Sequence, residues 1–250
     1  MYDKKFESER IKIIKKNSSS KKFLNITKKF NIEASLNKYT YNFNWLGVPI
    51  IQYPQDIILM QELLYEVKPD LLIETGVARS GSLIFYSSIL SMIHKEYKVI
   101  GVDIDIRKHA KKVLKKHKYS KNITTFQGSS NDKKILNKIL KISKKYKKIM
   151  VCLDSDHTHR HVLEELENYS KLVSKNSYLV VFDTTQGSFD SKNINKISKV
   201  YKYKPWGKTS NPLTAVKEFL KNNKNFVIND EFFKKALVSN CYSGFLKKIK

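Results

Sequence analysis

Leu71-Leu72-Ile73-Glu74-Thr75-Gly76-Val77-Ala78-Arg79-Ser80-Gly81-Ser82 reads as a strand, a turn and the start of a helix. A short apolar run ends in an acid, and two glycines bracket a turn of small residues. The amphipathic run Leu83-Ile84-Phe85-Tyr86-Ser87-Ser88-Ile89-Leu90 then predicts a helix. At such a junction the backbone N–H groups of the turn and of the first helical residues point outward, where they can hold an anionic or polar ligand. A glycine turn also serves geometry alone, so its meaning depends on the chain around it.

Downstream the pattern alternates. Strands are expected at Asp70–Glu74, Lys98–Asp103, Ile123–Gln127, Ile149–Asp154 and Ser177–Asp183. Helices are expected between them at Ser82–His94, His109–His117, Asp132–Tyr146 and His159–Val173. Continuous apolar strands separated by amphipathic helices imply an α/β fold: a Rossmann-like, mostly parallel central sheet with helices on both faces. Glu74, Asp103, Asp154 and Asp183 close four of these strands, at the edge where an open parallel sheet binds its ligand. Carboxylates gathered there repel one another, so hydroxyls, a cationic ligand or a metal must meet some of them.

Upstream, Pro54–Val67 predicts a further helix with Pro54 in its first turn. Residues 1–40 form a Lys-rich N-terminal extension or cap with short amphipathic helices, and residues 41–250 form the main domain. Beyond Asp183, Gln186 to Tyr203 is polar and without clear periodicity, which predicts an insert or lid over the active edge. Pro205-Trp206-Gly207 is expected as a turn, Pro212–Leu220 as a helix, and Phe226–Ile228 and Ser243–Lys248 as the last strands.

The net charge of +25 over 250 residues invites a nucleic-acid or anionic-membrane reading. Only Arg10, Arg79, Arg107 and Arg160 are arginines, leaving 44 of the 48 basic residues as Lys. Nucleic-acid readers lean on Arg for bidentate contacts. Lys spread evenly with Asn and Ile reflects composition bias and solvated surface, so no specific nucleic-acid partner is expected. Cys152 and Cys241 lack metal-type spacing and read as reduced thiols. The basic first residues are not followed by an apolar segment of the signal type, and no apolar run reaches membrane length, so a cytoplasmic chain is expected, with room for peripheral contact to anionic lipid and for a homo-oligomer.

Asp103 at the end of the second strand is suited to accept hydrogen bonds from two ribose hydroxyls. NAD and S-adenosylmethionine (SAM) both carry that ribose. A dinucleotide site needs G-x-G-x-x-G to bring a pyrophosphate against the helix. Gly76 and Gly81, with Arg79 and Ser80 between them and Ser82 after, give a wider turn that favours SAM. His157, directly behind Asp154, is the candidate general base, since imidazole titrates near neutrality. His159 and His161 read as a helix N-terminal cluster. Trp45, Trp206 and Tyr53 are suited either to stack on a sugar or to anchor loops.

Tyr53-Pro54-Gln55-Asp56, Ile73 to Ser82, Leu153-Asp154-Ser155-Asp156-His157-Thr158-His159 and Asn211-Pro212-Leu213-Thr214-Ala215-Val216 resemble the cephalosporin hydroxylase/rhamnosyl O-methyltransferase family. The resemblance runs from about Asn42 to Phe245. It implies a class I SAM-dependent methyltransferase fold and O-methylation of a sugar hydroxyl on a surface glycan, glycolipid or nucleotide-sugar intermediate. Glu74, Gly76, Arg79, Gly81 and Ser82 would frame the SAM site, Asp103 would hold the ribose, and Ser129 in Gly128-Ser129-Ser130 would border the adenine. Asp154 would act at the reacting centre with His157. Asp154, Asp183 and Asp156 would hold Mg²⁺, although Phe182-Asp183 stands where family members often show Glu-Asp. The competing readings are an RNA methyltransferase, motivated by the charge, and a non-catalytic partner in glycan assembly.

Overall fold

Asp3 accepts a hydrogen bond from the Lys5 N–H at 2.8 Å and starts α1 (Lys4–Ser19). Ser20 caps α2 (Lys21–Leu36) through its hydroxyl oxygen. The computed structural model describes residues 3–201 and 206–250. No side chain of α1 is buried, whereas α2 buries Thr27, Asn31, Ala34 and Ser35. A small hairpin, β1 (Asn44–Trp45) and β2 (Val48–Pro49), leads into α3 (Pro54–Val67). Trp45 is a loop anchor: its Nε1 donates to Ser88 Oγ at 2.9 Å and its ring packs edge-on to Phe85.

The alternating core follows as β3 (Leu71–Thr75), α4 (Gly81–Ile93), β4 (Lys98–Asp103), α5 (Lys108–Lys116), β5 (Ile123–Gln127), α6 (Lys133–Ser143), β6 (Ile149–Leu153), α7 (His159–Tyr169) and β7 (Tyr178–Val181). Every expected strand and helix of this core is present, with ends moved by up to four residues. The helix starts have physical causes. Asp132 accepts from the Lys134 and Ile135 N–H groups ahead of α6, for example.

Gln186 to Tyr203, expected without periodicity, instead contains the helix α8 (Ser191–Val200). Asp190 caps it, accepting from the Asn193 N–H at 2.9 Å. Its apolar face is narrow because Ile194 and Ile197 do not join the main core. They pack with Phe189 and Trp206 against Ile32 and Leu36 of α2. The extension and the insert therefore share one small core, and the Tyr201 hydroxyl donates to the Ser35 carbonyl at 3.2 Å across it. Tyr203 and Pro205 lie outside the described residues. The chain closes with α9 (Pro212–Asn222), held by a capping box between Asn211 and Thr214, then β8 (Phe226–Ile228), α10 (Glu231–Ala236) and β9 (Phe245–Lys248).

The main sheet has the order β5-β4-β3-β6-β7-β9-β8. It is parallel from β5 to β7, and β9 runs antiparallel between β7 and β8. Alternation along the strands divides the core in two. Leu72, Val99, Met150, Cys152 and Val180 face α3 and α4, while Leu71, Ile73, Ile100, Val151 and Leu179 face the side covered by α6, α7 and α9. Each large side chain so buried contributes about 2 kcal/mol relative to exposure. Among the described residues, no helix is long and apolar enough to cross a membrane. Strand order reverses between β3 and its neighbours β4 and β6, so the ligand crevice of such a sheet opens beyond the carboxyl ends of β3 and β6.

Candidate functional site

At that crevice the turn after β3 lies directly against the loop after β6. Gly76 has φ +92°, and a Cβ there would stand 2.0 Å from the Asp154 carbonyl oxygen. The Asp154 N–H donates to the Thr75 carbonyl at 2.9 Å, holding the two loops together. Gly81 is needed for a different reason: its Cβ would meet the Pro49 carbonyl at 2.2 Å, so β2 can lie against the start of α4.

Ala78 (φ 42°) and Ser80 (φ 69°) are also left-handed, a costly backbone for residues with a side chain. Asp103 holds it in place. Its Oδ2 accepts from the Val77 N–H at 2.7 Å and the Ala78 N–H at 3.0 Å, and its Oδ1 accepts from the Asp105 N–H at 2.9 Å. The sequence suggests that these turn N–H groups face a ligand; two of them are instead taken by the chain's own carboxylate. Asp103 keeps unused lone pairs on both oxygens. Arg79 is exposed beside it, and Ser82 Oγ donates inward to Glu74 Oε2 at 2.7 Å.

Glu74 is fully buried, and its Oε1 has no hydrogen-bond partner among the described residues. Burial pushes its pKa up to about 8, partly offset by hydrogen bonding to Ser82 and Tyr86. Ser129 lies at the turn after β5, where its Oγ accepts from the Asn131 N–H at 3.3 Å.

The second half of the site brings Asp154, His157 and Asp183 together, with one ligand atom from each lying within 4.8 Å of the others. His157 Nε2 stands 3.2 Å from Asp183 Oδ2. Asp183 itself has the left-handed φ of 57°. The Trp206 indole stacks on the His157 ring with centroids 5.6 Å apart and planes 23° apart. Asp154 Oδ2 accepts from Gln52 Nε2 at 3.0 Å.

Burial, then the charges of Asp183, Glu74, Glu165 and Asp56, drives the Asp154 carboxyl well above the usual range. Burial also raises Asp183, with His157 opposing. In a chain of net charge +25, no Lys or Arg pairs with either carboxylate among the described residues. Tyr53 is buried nearby, its ring within 6.1 Å of Tyr39 and 6.4 Å of Phe30.

Asp156 does not join this cluster. Its Oδ1 accepts from the Thr158 N–H at 2.8 Å, and the side chain is spent on that turn at the start of α7. His157 takes the place in the donor set expected for Asp156. His159 ties α7 to α9 through Thr214 Oγ1 at 2.8 Å and Glu218 Oε2 at 3.1 Å. His161 lies within 3.4 Å of Ser130, Ser155 and buried Glu165, behind the loops rather than between them.

Sequence reasoning overlooked Gln52 and the role of Asp56. The latter's carboxylate accepts from the Ser239 hydroxyl and, at 2.8 Å, from the Asn240 N–H, fixing the loop before β9. Its presence in the quoted Tyr53–Asp56 block was the available signal. Asp56 is fully buried and raised to about 7, burial being the cause. Like Glu74, it binds its proton more tightly folded than unfolded. Stability from these two groups should therefore be fully present below about pH 4 and be lost as pH climbs from there through 7 and 8, each group contributing on the order of 4 kcal/mol. Asp56→Asn should flatten that slope in melting curves recorded across the window; an unchanged slope would contradict the assignment.

Comparison with known proteins gives a consistent picture. The model of the rhamnosyl O-methyltransferase/CmcI family matches residues 37–249. A rhamnosyl O-methyltransferase of Mycobacterium leprae (strain TN) is 31% identical over 141 residues, covering 56% of this chain and 59% of that protein. Its counterpart in Mycobacterium tuberculosis (strain ATCC 25618 / H37Rv) is 32% identical over 142 residues, 56% of each. The chain thus spans little more than half the length of these curated relatives. Among solved structures, apo CmcI aligns with a TM-score of 0.59 at 18% identity, over 84% of this chain and 77% of that one. CmcI with Mg and SAM gives 0.57 at 17% identity, over 84% and 78%. The MycE methyltransferase with Mg, SAH and mycinamycin VI gives 0.52 at 18%, over 88% and 54%. At such identity these likenesses establish the fold.

Proposed function

Because the chain belongs to the rhamnosyl O-methyltransferase/CmcI family, we propose that it transfers the methyl group of SAM to a sugar hydroxyl, as a step in glycan or glycolipid assembly. The observation that carries this reading is the pair Asp154 and Asp183 beside the Gly76 turn, with His157 as their one basic contact among the described residues.

In this reading the SAM ribose sits at Asp103, Glu74 and the Gly76–Ser82 turn frame the methionine end, and Ser129 borders the adenine. The acceptor oxygen attacks the methyl carbon, the S–CH₃ bond breaks with its electron pair going to sulfur, and the hydroxyl proton passes to His157. Asp183, 3.2 Å from Nε2, accepts from Nε2–H and so leaves Nδ1 as the basic nitrogen. It also stabilises the imidazolium that forms. Trp206 fixes the ring plane by stacking. The reaction needs alignment of two substrates and a proton acceptor, and the rigid loop pair supplies the alignment.

The donor set of two carboxylates and one imidazole fits a divalent cation. Buried Gln52 Oε1, Glu74 Oε1 and Trp206 Nε1, all without partners among the described residues, fit a site built for ligand atoms. Asp154 and Asp183 would hold such an ion through their carboxylate oxygens, leaving His157 to accept the proton, and the ion would lower the pKa of the acceptor hydroxyl. Turnover that is the same with EDTA as with Mg²⁺ would leave the proton acceptor alone responsible.

The test of the reading is transfer of labelled methyl from SAM to rhamnose-bearing glycans or glycolipids. Labelled sugar supports it, and label appearing only in RNA, or nowhere, overturns it. Asp103→Asn should weaken SAM binding about 10- to 100-fold, the cost of charged hydrogen bonds lost from the ribose and the turn. Unchanged SAM affinity in that variant would remove the ribose role.

A further inference from the structure

Sixteen large hydrophobic side chains are exposed among the described residues, and six of them fall within the first thirty positions: Phe6, Ile11, Ile13, Phe23, Ile26 and Phe30. Phe6 and Ile13, 59% and 56% exposed, lie about 20° apart on one flank of α1, next to Lys5, Lys12 and Lys16, while Ile11, 62% exposed, lies on the other flank beside Lys4 and Lys15, with the half-buried Glu7, Arg10 and Ile14 between the two. Residues 3–36 carry ten basic and four acidic side chains, and none of the nine lysines has an ion-pair partner among the described residues. A helix with no buried residue, exposed Phe6 and Ile13 on one flank and lysines unpaired among the described residues beside them can meet an anionic interface with both kinds of group.

We propose that the α1–α2 hairpin docks this protein on an anionic lipid bilayer, with Phe6 and Ile13 entering the headgroup–acyl boundary and the lysines beside them meeting lipid phosphates. Charge decides between occupants. A second copy would bring another +25 chain against the same lysines, and stable protein interfaces are depleted of Lys. An anionic bilayer satisfies both the charge and the apolar side chains at once. The hairpin also shares a core with α8 and Trp206, whose indole roofs His157. On the methyl-transfer reading, which this clause alone rests on, docking sets the acceptor half of the site at the lipid surface, where a sugar carried on a lipid would be presented.

Flotation of the full chain with vesicles tests it, without any need for turnover. Binding to phosphatidylglycerol-containing vesicles, weak binding to pure phosphatidylcholine, and a loss of about tenfold or more in Phe6→Ser/Ile13→Ser are expected. Both replaced residues are exposed, so the fold should survive, and Met92→Ser, at a 75% exposed position in the last turn of α4, should bind like the unaltered chain. Three results overturn the proposal: no binding to anionic vesicles, binding that the double variant leaves intact, or a concentration-dependent dimer that the same variant abolishes without lipid binding. Vesicle binding together with absent methyl transfer would leave docking standing and remove only the catalytic reading.

Discussion

His157→Ala should lower methyl-transfer turnover by about two to four orders of magnitude while leaving SAM affinity unchanged. The imidazole is the one basic group in contact with the carboxylate pair among the described residues, 3.2 Å from Asp183 and stacked on Trp206. Its removal takes away the proton acceptor and the ring that meets Asp183 Oδ2. The cofactor half, built on Asp103 and the Gly76 turn, makes no contact through this ring. A kcat collapse at constant SAM affinity, read by single-turnover kinetics beside equilibrium binding, is therefore the expected signature. A variant that loses SAM binding and turnover in parallel would place His157 in the cofactor site instead. Asp183→Asn should follow it in kind, since an amide cannot hold the imidazolium.

Gly76→Ala should be the most damaging single methyl group in the chain. Its Cβ would need space that the Asp154 backbone occupies, at 2.0 Å from the carbonyl oxygen and 2.6 Å from the carbonyl carbon, and φ would have to stay at +92°. Strained backbone and overpacking together should cost on the order of 3 kcal/mol. Relief requires the loops after β3 and β6 to part, which separates the cofactor half from Asp154 and His157. Chemical denaturation should show the stability loss, and the surviving folded fraction should lack activity. Near-unaltered stability and turnover would mean that the loop contact is not what joins the two halves.

Much of this was legible in the residues. The strands at Leu71–Thr75, Lys98–Asp103 and Ile149–Leu153 are mainly apolar runs with an acid at or next to their carboxyl ends, so both their burial and their direction could be read. Gly76, Asp103, Asp154, His157 and Asp183 were named from position at strand ends, and the structure gathers them at one edge. What escaped depends on contacts distant in sequence. Helix α8 shows only a narrow apolar face because its partner is α2, more than 150 positions upstream, and not the sheet. Asp156 and His157 are neighbours in the same motif, and nothing local says that one closes its own turn while the other reaches Asp183. Gln52 likewise meets Asp154 across 102 positions of chain. The capture of Asp103 by the turn N–H groups required the left-handed residues Ala78 and Ser80, which no propensity predicts.

The most direct test of the two-part site is calorimetric titration of the purified chain with SAM and with its demethylated product. Saturable binding of both at one site per chain is expected, retained in His157→Ala and weakened about 10- to 100-fold in Asp103→Asn. No heat of binding from either ligand, under conditions where the chain is folded, would contradict the account at its centre.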